Sequence, residues 1–170
     1  MSTKTQKWLG LPGLEKNLVM LDVTDLPYKI YYDKKVISSI RCHYKIADDL
    51  KHRLNAIWAA ARAQVKKRDG YALTSEHYDK ATVEFLHARH LDVFGGCYNN
   101  RPITGGKAPS MHAWGAAVDW NPAENALKSK GNMPAWWIAV WTQRIGDIKW
   151  HWGGTWTRRD PMHVEVYYFG

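Results

Sequence analysis

Cysteine is scarce in this chain, with two among 170 residues, Cys42 and Cys97. Neither belongs to a Cys-x-x-Cys pair, and two cysteines make no disulfide framework at this length, so both are expected as free thiols. Long apolar runs are missing as well. The longest near the N-terminus is Leu18-Val-Met-Leu21, too short for a signal peptide or a membrane span. The expectation is synthesis in the cytoplasm without a transmembrane segment. Acidic residues are outnumbered, 16 against 24 basic, for a formal net charge of +8. That excess favours a polyanionic partner or surface. It does not point to nucleic acid, because the basic residues are scattered apart from Lys66-Lys67-Arg68 and Arg158-Arg159, and no nucleic-acid-binding motif occurs. No linker or repeat marks off a second domain, and the length suits one sizeable core.

Local patterns give a coarse architecture. Apolar residues at three- and four-residue steps predict a helix over 46–68, with Asp48 and Asp49 in its first turn, Lys66-Lys67-Arg68 in its last, and Gly70 as its stop. A second helix is expected over 75–89, and a short Trp-rich one from Asn132-Met-Pro134 to Ile145. Strands are expected at 91–98, 116–120, 148–152 and 162–169. In the N-terminal part, residues 28–32 and 36–40 have β character around a turn at Asp33–Lys35. Residues 1–45 read as an extension packed on a catalytic domain of residues 46–170. The fold class is α+β, with helices on one side of a small, mostly antiparallel sheet and the functional site on the open face.

The chemistry concentrates in Ser110-Met-His112-Ala-Trp-Gly115-Ala-Ala117-Val-Asp119 and, downstream, Asp160-Pro-Met-His163-Val-Glu165. His112, Asp119 and His163 are a workable donor set for a catalytic zinc, which takes three protein ligands and keeps its fourth position open. A straight strand would place His112 and Asp119 about 23 Å apart at ~3.3 Å per residue. The chain must therefore bend between them, and Gly115 is the natural bend. Beyond it, Ala117 and Asp119 share the metal face of a strand, and Ala116, Val118 and Trp120 share its core face. His87 and His90 stand at i, i+3, but a local pair with no third ligand is a weak metal signal.

The motif Ser-x-His-x-x-Gly-x-Ala-x-Asp, followed by Trp152-Gly153-Gly154-Thr155-Trp156 and Asp160-x-x-His163, resembles the zinc peptidases of bacterial cell walls. That family includes D-alanyl-D-alanine carboxypeptidases and L-alanyl-D-glutamate endopeptidases used as phage lysins. The resemblance covers roughly residues 92–170. It implies one Zn2+ per chain, held by His112, Asp119 and His163, which acidifies water and polarises the scissile carbonyl. It implies Asp160 as general base and Arg101 as the substrate-binding cation that stabilises developing negative charge. Ser110 is expected to orient the His112 loop or the substrate, and Glu165 to support His163.

His151 alternates with Trp150 and Trp152, and either faces the cleft and assists the transition state or is simply exposed. Ten Trp occur, eight of them in the last 57 residues. Most should fill the core, while Trp114 and Trp152, which flank the motifs, are expected to line the cleft.

The function expected is hydrolysis of peptidoglycan stem peptides, in the L-alanyl-D-glutamate endopeptidase manner of a phage-type lysin, on an anionic cell envelope. Such an enzyme leaves the cytoplasm through a partner-made hole or on a virion. The alternatives are a D-alanyl-D-alanine carboxypeptidase and a non-catalytic wall-binding module.

Overall fold

The computed structural model describes residues 3–170. In its N-terminal part, α1 (Thr3–Leu9) leads to β1 (Leu18–Asp22), then to the hairpin of β2 (Tyr31–Tyr32) and β3 (Lys35–Val36), and then to β4 (Ser39–His43), which pairs antiparallel with β1. Asp33 and Lys34 make the hairpin turn with φ of 45° and 64°. Such a two-residue left-handed turn matches the twist of the strands it joins. Of the expected strands, 28–32 keeps only Tyr31–Tyr32, in β2, and 36–40 is split between Val36 of β3 and Ser39–Ile40 of β4. Strand β1 and helix α1 carry no comparable sequence signal.

The long helix α2 (Ala47–Asp69) forms where the charge pattern places it, and buries Leu50, Leu54, Ile57, Ala61 and Val65. α3 (Ser75–Ala88) follows, capped by the Thr74 hydroxyl, which accepts from the His77 N–H, and it packs against α2 through Tyr78, Phe85 and Leu86. One buried position on α2 is charged. Arg53, 0 % exposed, pairs with Asp49 and donates to the carbonyls of Val140 and Trp141 at 2.7 and 2.9 Å. Trp150 Nε1 also donates to Asp49, at 2.6 Å. A buried ion pair is tolerated when its remaining donors and acceptors are satisfied in this way.

The main sheet has the order β5 (Phe94–Gly96), β6 (Ala117–Trp120), β8 (His163–Tyr168), β7 (Ile148–Trp152), and every pairing is antiparallel. β5 is shorter than the expected 91–98 strand, because residues 89–92 turn out of α3. Helix α4 (Ala135–Thr142) is also shorter than expected. Pro134 is its N-cap, and Gln143 turns extended at ψ 133° before Gly146 is reached. Among the described residues the architecture is α+β, four α-helices with small antiparallel sheets.

Period-2 alternation divides the main sheet into two faces. Val118, Trp120, Trp150, Val164 and Val166 are all at most 2 % exposed. They meet Trp137 and Trp141 of α4 in an aromatic cluster with ring centroids 5.1–6.1 Å apart. Ala117, Asp119, His163 and Glu165 occupy the opposite face, where His163 and Glu165 line a cleft.

Candidate metal centre

The turn that carries His112 is built locally. Ser110 caps a short 3-10 segment, Met111–Trp114, its hydroxyl accepting from the His112 N–H at 3.3 Å. Gly115 then reverses the chain at φ 66°, ψ 33°, the left-handed geometry expected of the bend. A β-carbon there would meet Leu18 Cδ2 at 2.9 Å and the His43 nitrogen at 3.0 Å. Glycine is needed for close approach as well as for torsion. The N-terminal segment is the wall against which the loop rests. His43 N–H donates to Gly115 O at 2.9 Å, Gly13 N–H to Ala113 O at 2.7 Å, and Trp114 Nε1 to Gly10 O at 2.7 Å.

The three donors converge. His112 Nε2 lies 3.2 Å from His163 Nδ1 and 3.2 Å from Asp119 Oδ2, and His163 Nδ1 lies 3.0 Å from Asp119 Oδ1. Ligand atoms at 2.0–2.1 Å around a tetrahedral ion stand roughly 3.3 Å apart, so this triangle fits zinc. The outer nitrogens fit as well. His112 Nδ1–H donates to Cys97 O at 2.7 Å, and His163 Nε2–H to Glu165 Oε2 at 3.0 Å. Each ring thereby keeps its other nitrogen turned to the shared point, the usual means of orienting a metal-binding imidazole.

Electrostatics agree with a cation-ready site. Burial alone would raise the Asp119 carboxyl, but hydrogen bonds from His112 and His163 outweigh it and hold the group well below the usual carboxylate range. Burial alone would lower His163, yet Asp119 and Glu165 on either side carry it up to about 10. A cation in the triangle would take the place of that imidazolium proton.

The cleft above has a volume of about 340 Å³ and is lined by residues from 101–112, 127, 156–165. Asp160 lies at its edge. Burial raises its carboxyl above the ordinary value, against the pull of His163 and Arg101, and its Oδ1 has no hydrogen-bond partner among the described residues. The Trp-Gly-Gly run shapes this edge. Asp160 N–H donates to Gly153 O at 2.9 Å, and a β-carbon on Gly153 would strike the Asp160 main chain. Arg101 is half-buried in the cleft. Its segment is pinned to the metal loop by Ser110 N–H to Arg101 O at 3.1 Å and Asn99 N–H to His112 O at 3.0 Å.

The two indoles expected in the cleft lie elsewhere, and so does His151. Trp114 is 5 % exposed and turned toward Gly10, away from the cleft, because its indole N–H finds its acceptor there. Trp152 sits on the core face of β7 and donates to Pro161 O at 2.7 Å. His151 shares the sheet face of Glu165, its register partner, but stacks on Tyr167 at 4.7 Å and lines a separate hollow beside α4. The indole that does line the cleft is Trp156, its ring 5.4 Å from that of His163. Its place in the Trp-Gly-Gly-x-Trp motif could have singled it out. Ile103, Leu127 and Arg158, also in the lining, stand in no motif. His87 and His90 pair with different carboxylates, Asp92 and Glu124. Both cysteines are free and buried.

A family model described as D-alanyl-D-alanine carboxypeptidase matches residues 104–166. The match contains His112, Asp119, Asp160 and His163. No curated protein and no solved structure matches the chain.

Proposed function

We propose that this chain is a zinc peptidase, an L-alanyl-D-glutamate endopeptidase acting on peptidoglycan stem peptides, a reading supported by the likeness of residues 104–166 to the D-alanyl-D-alanine carboxypeptidase family. The observation that carries the hydrolytic reading is the triangle of His112, Asp119 and His163 at the base of a cleft edged by Asp160 and Arg101. Zinc held by those three donors supplies Lewis acidity, which polarises a scissile carbonyl and acidifies water.

The remaining work falls to side chains. Asp160, raised by burial and with one oxygen unpartnered, accepts the proton of the attacking water and returns it to the leaving amine. Arg101 offers a fixed guanidinium to the carbonyl oxygen as negative charge grows on it. Ser110 holds the His112 turn, and Glu165 holds the His163 ring. His151 is assigned no step, since its ring stacks on Tyr167 and does not line the cleft. The Asp-x-x-His spacing joined to Trp-Gly-Gly-x-Trp favours the endopeptidase over the carboxypeptidase. The net charge of +8 suits an anionic envelope, and release by a phage-type route or carriage on a virion would bring the enzyme to it.

Digestion of purified sacculi, with the fragments identified by mass spectrometry, tests this reading. New N-terminal D-glutamate is expected. Release of terminal D-alanine alone would make the enzyme a carboxypeptidase, and no release at all would favour a wall-binding module.

A further inference from the structure

Most arginines with a defined role in this fold are neutralised. Arg41, Arg53, Arg62, Arg68 and Arg144 each pair with a carboxylate. Arg101 and Arg158 have no such partner among the described residues, and both line the cleft. Arg158 reaches it from the segment that ends in Asp160. One of its N–H groups donates to Thr104 O at 2.5 Å, across the mouth of the cleft. Thr104 belongs to a small hairpin, closed by the Pro102–Pro109 bridge and by Ile103 N–H to Ala108 O at 2.8 Å. That bond aims the guanidinium and uses one of its five donors. An aimed cation with donors to spare and no counter-ion, at the rim of a cleft, is built to take an anion, and the planar fork suits a carboxylate.

Resting on the stem-peptide reading above, we propose that Arg158 is a specificity-determining residue that selects substrates with a free carboxylate beside the scissile bond. A γ-linked D-glutamate keeps its α-carboxylate, and its α-amide has nearly the same size without the charge. Arg158 therefore distinguishes acidic stem peptides from amidated ones. Ile103, Leu127 and Trp156 give the cleft beside it an apolar lining.

The test is calorimetric binding to the zinc-loaded Asp160→Asn protein, with two L-Ala-γ-D-Glu-L-Lys peptides, one with a free α-carboxylate and one with the α-amide. The acid should bind about tenfold more tightly than the amide, the worth of one charge-assisted pair. Adding Arg158→Gln should abolish that ratio by weakening the acid alone, and Arg158→Lys should keep part of it. Arg158 is exposed, so the fold should survive, as an unchanged melting temperature would show. A preserved ratio in Arg158→Gln overturns the proposal. So does equal weakening of both peptides, which would make Arg158 only a latch for the hairpin. If neither peptide binds the parent protein, the stem-peptide reading falls and the selectivity proposal with it.

Discussion

Asp119 and His163 are register partners across β6 and β8, with Oδ1 and Nδ1 3.0 Å apart. Two of the three metal donors are therefore set by strand pairing. A one-residue slip would turn one of them to the core face, where Val118, Trp120 and Val164 are tightly packed. The hydrophobic pattern of the sheet thereby protects the geometry of the metal triangle.

Asp119 and Asp160 are expected to separate by role. Asp119→Asn should lower zinc occupancy, because the amide is a poorer donor to the cation. Asp160→Asn should keep zinc and fold, while the rate falls by roughly 10²–10⁴, the usual worth of a general base. Metal analysis beside turnover measurements decides this. The reverse pattern, with zinc lost from Asp160→Asn and kept in Asp119→Asn, would exchange the two assignments.

Arg101→Ala should leave zinc binding and melting temperature unchanged and reduce kcat by about 10²–10³, since the guanidinium meets charge that develops only in the transition state. A near-normal kcat would remove Arg101 from the reaction.

Gly115→Ala should destabilise the protein by about 2–4 kcal/mol, combining a left-handed torsion with overpacking against Leu18 and the His43 backbone. At this chain length that is a fall in melting temperature of roughly 5–10 °C. Zinc affinity should fall with it, because the residue forms the turn behind His112. A variant with unchanged melting temperature would show that the ribbon and loop can move apart freely.

His43 gives a pH dependence of stability. It is 1 % exposed, its Nε2–H donates to Leu9 O at 3.0 Å, and its Nδ1 accepts from the Lys45 N–H at 3.2 Å. Burial lowers its pKa below the ordinary value, with Lys45 adding to the effect. The folded state thus holds the neutral ring, while the unfolded chain protonates near 6.5. The stability His43 provides is complete above about pH 7 and drains away as the pH falls through 6.5 toward the lower folded pKa, by at most about 1.4 kcal/mol per unit. The advantage of wild type over His43→Asn in urea unfolding should therefore shrink between pH 7 and 5. A constant difference across that range would show that His43 titrates alike in both states.

Much of the site could be read from residue spacing, for a physical reason. The seven-residue step from His112 to Asp119 demands a reversal, and only Gly115 could provide it cheaply. Alternation in Ala116–Trp120 then assigns Asp119 to one face. α2 was legible because charge and apolar period agreed along its whole length. The indoles were not. Trp114 and Trp152 stand as close to the motifs as Trp156 does, and their directions depend on which carbonyl, Gly10 or Pro161, lies within reach of each N–H. Those acceptors are supplied by the tertiary fold. The β1–β4 ribbon was obscured similarly, since Leu18–Asp22 is largely exposed on both faces and lacks a clean alternation.

The wall behind the metal loop also limits how the site can be moved. Residues 104–166 contain all three donors, yet Gly10, Gly13 and His43 contribute the main-chain groups that hold the His112 turn in place. A transplant of that stretch onto another scaffold would carry the ligands and leave their mould behind. A working graft would have to bring the β1–β4 ribbon and the Gly10–Gly13 turn with it, or provide a new surface with two amides and a carbonyl at the same three places.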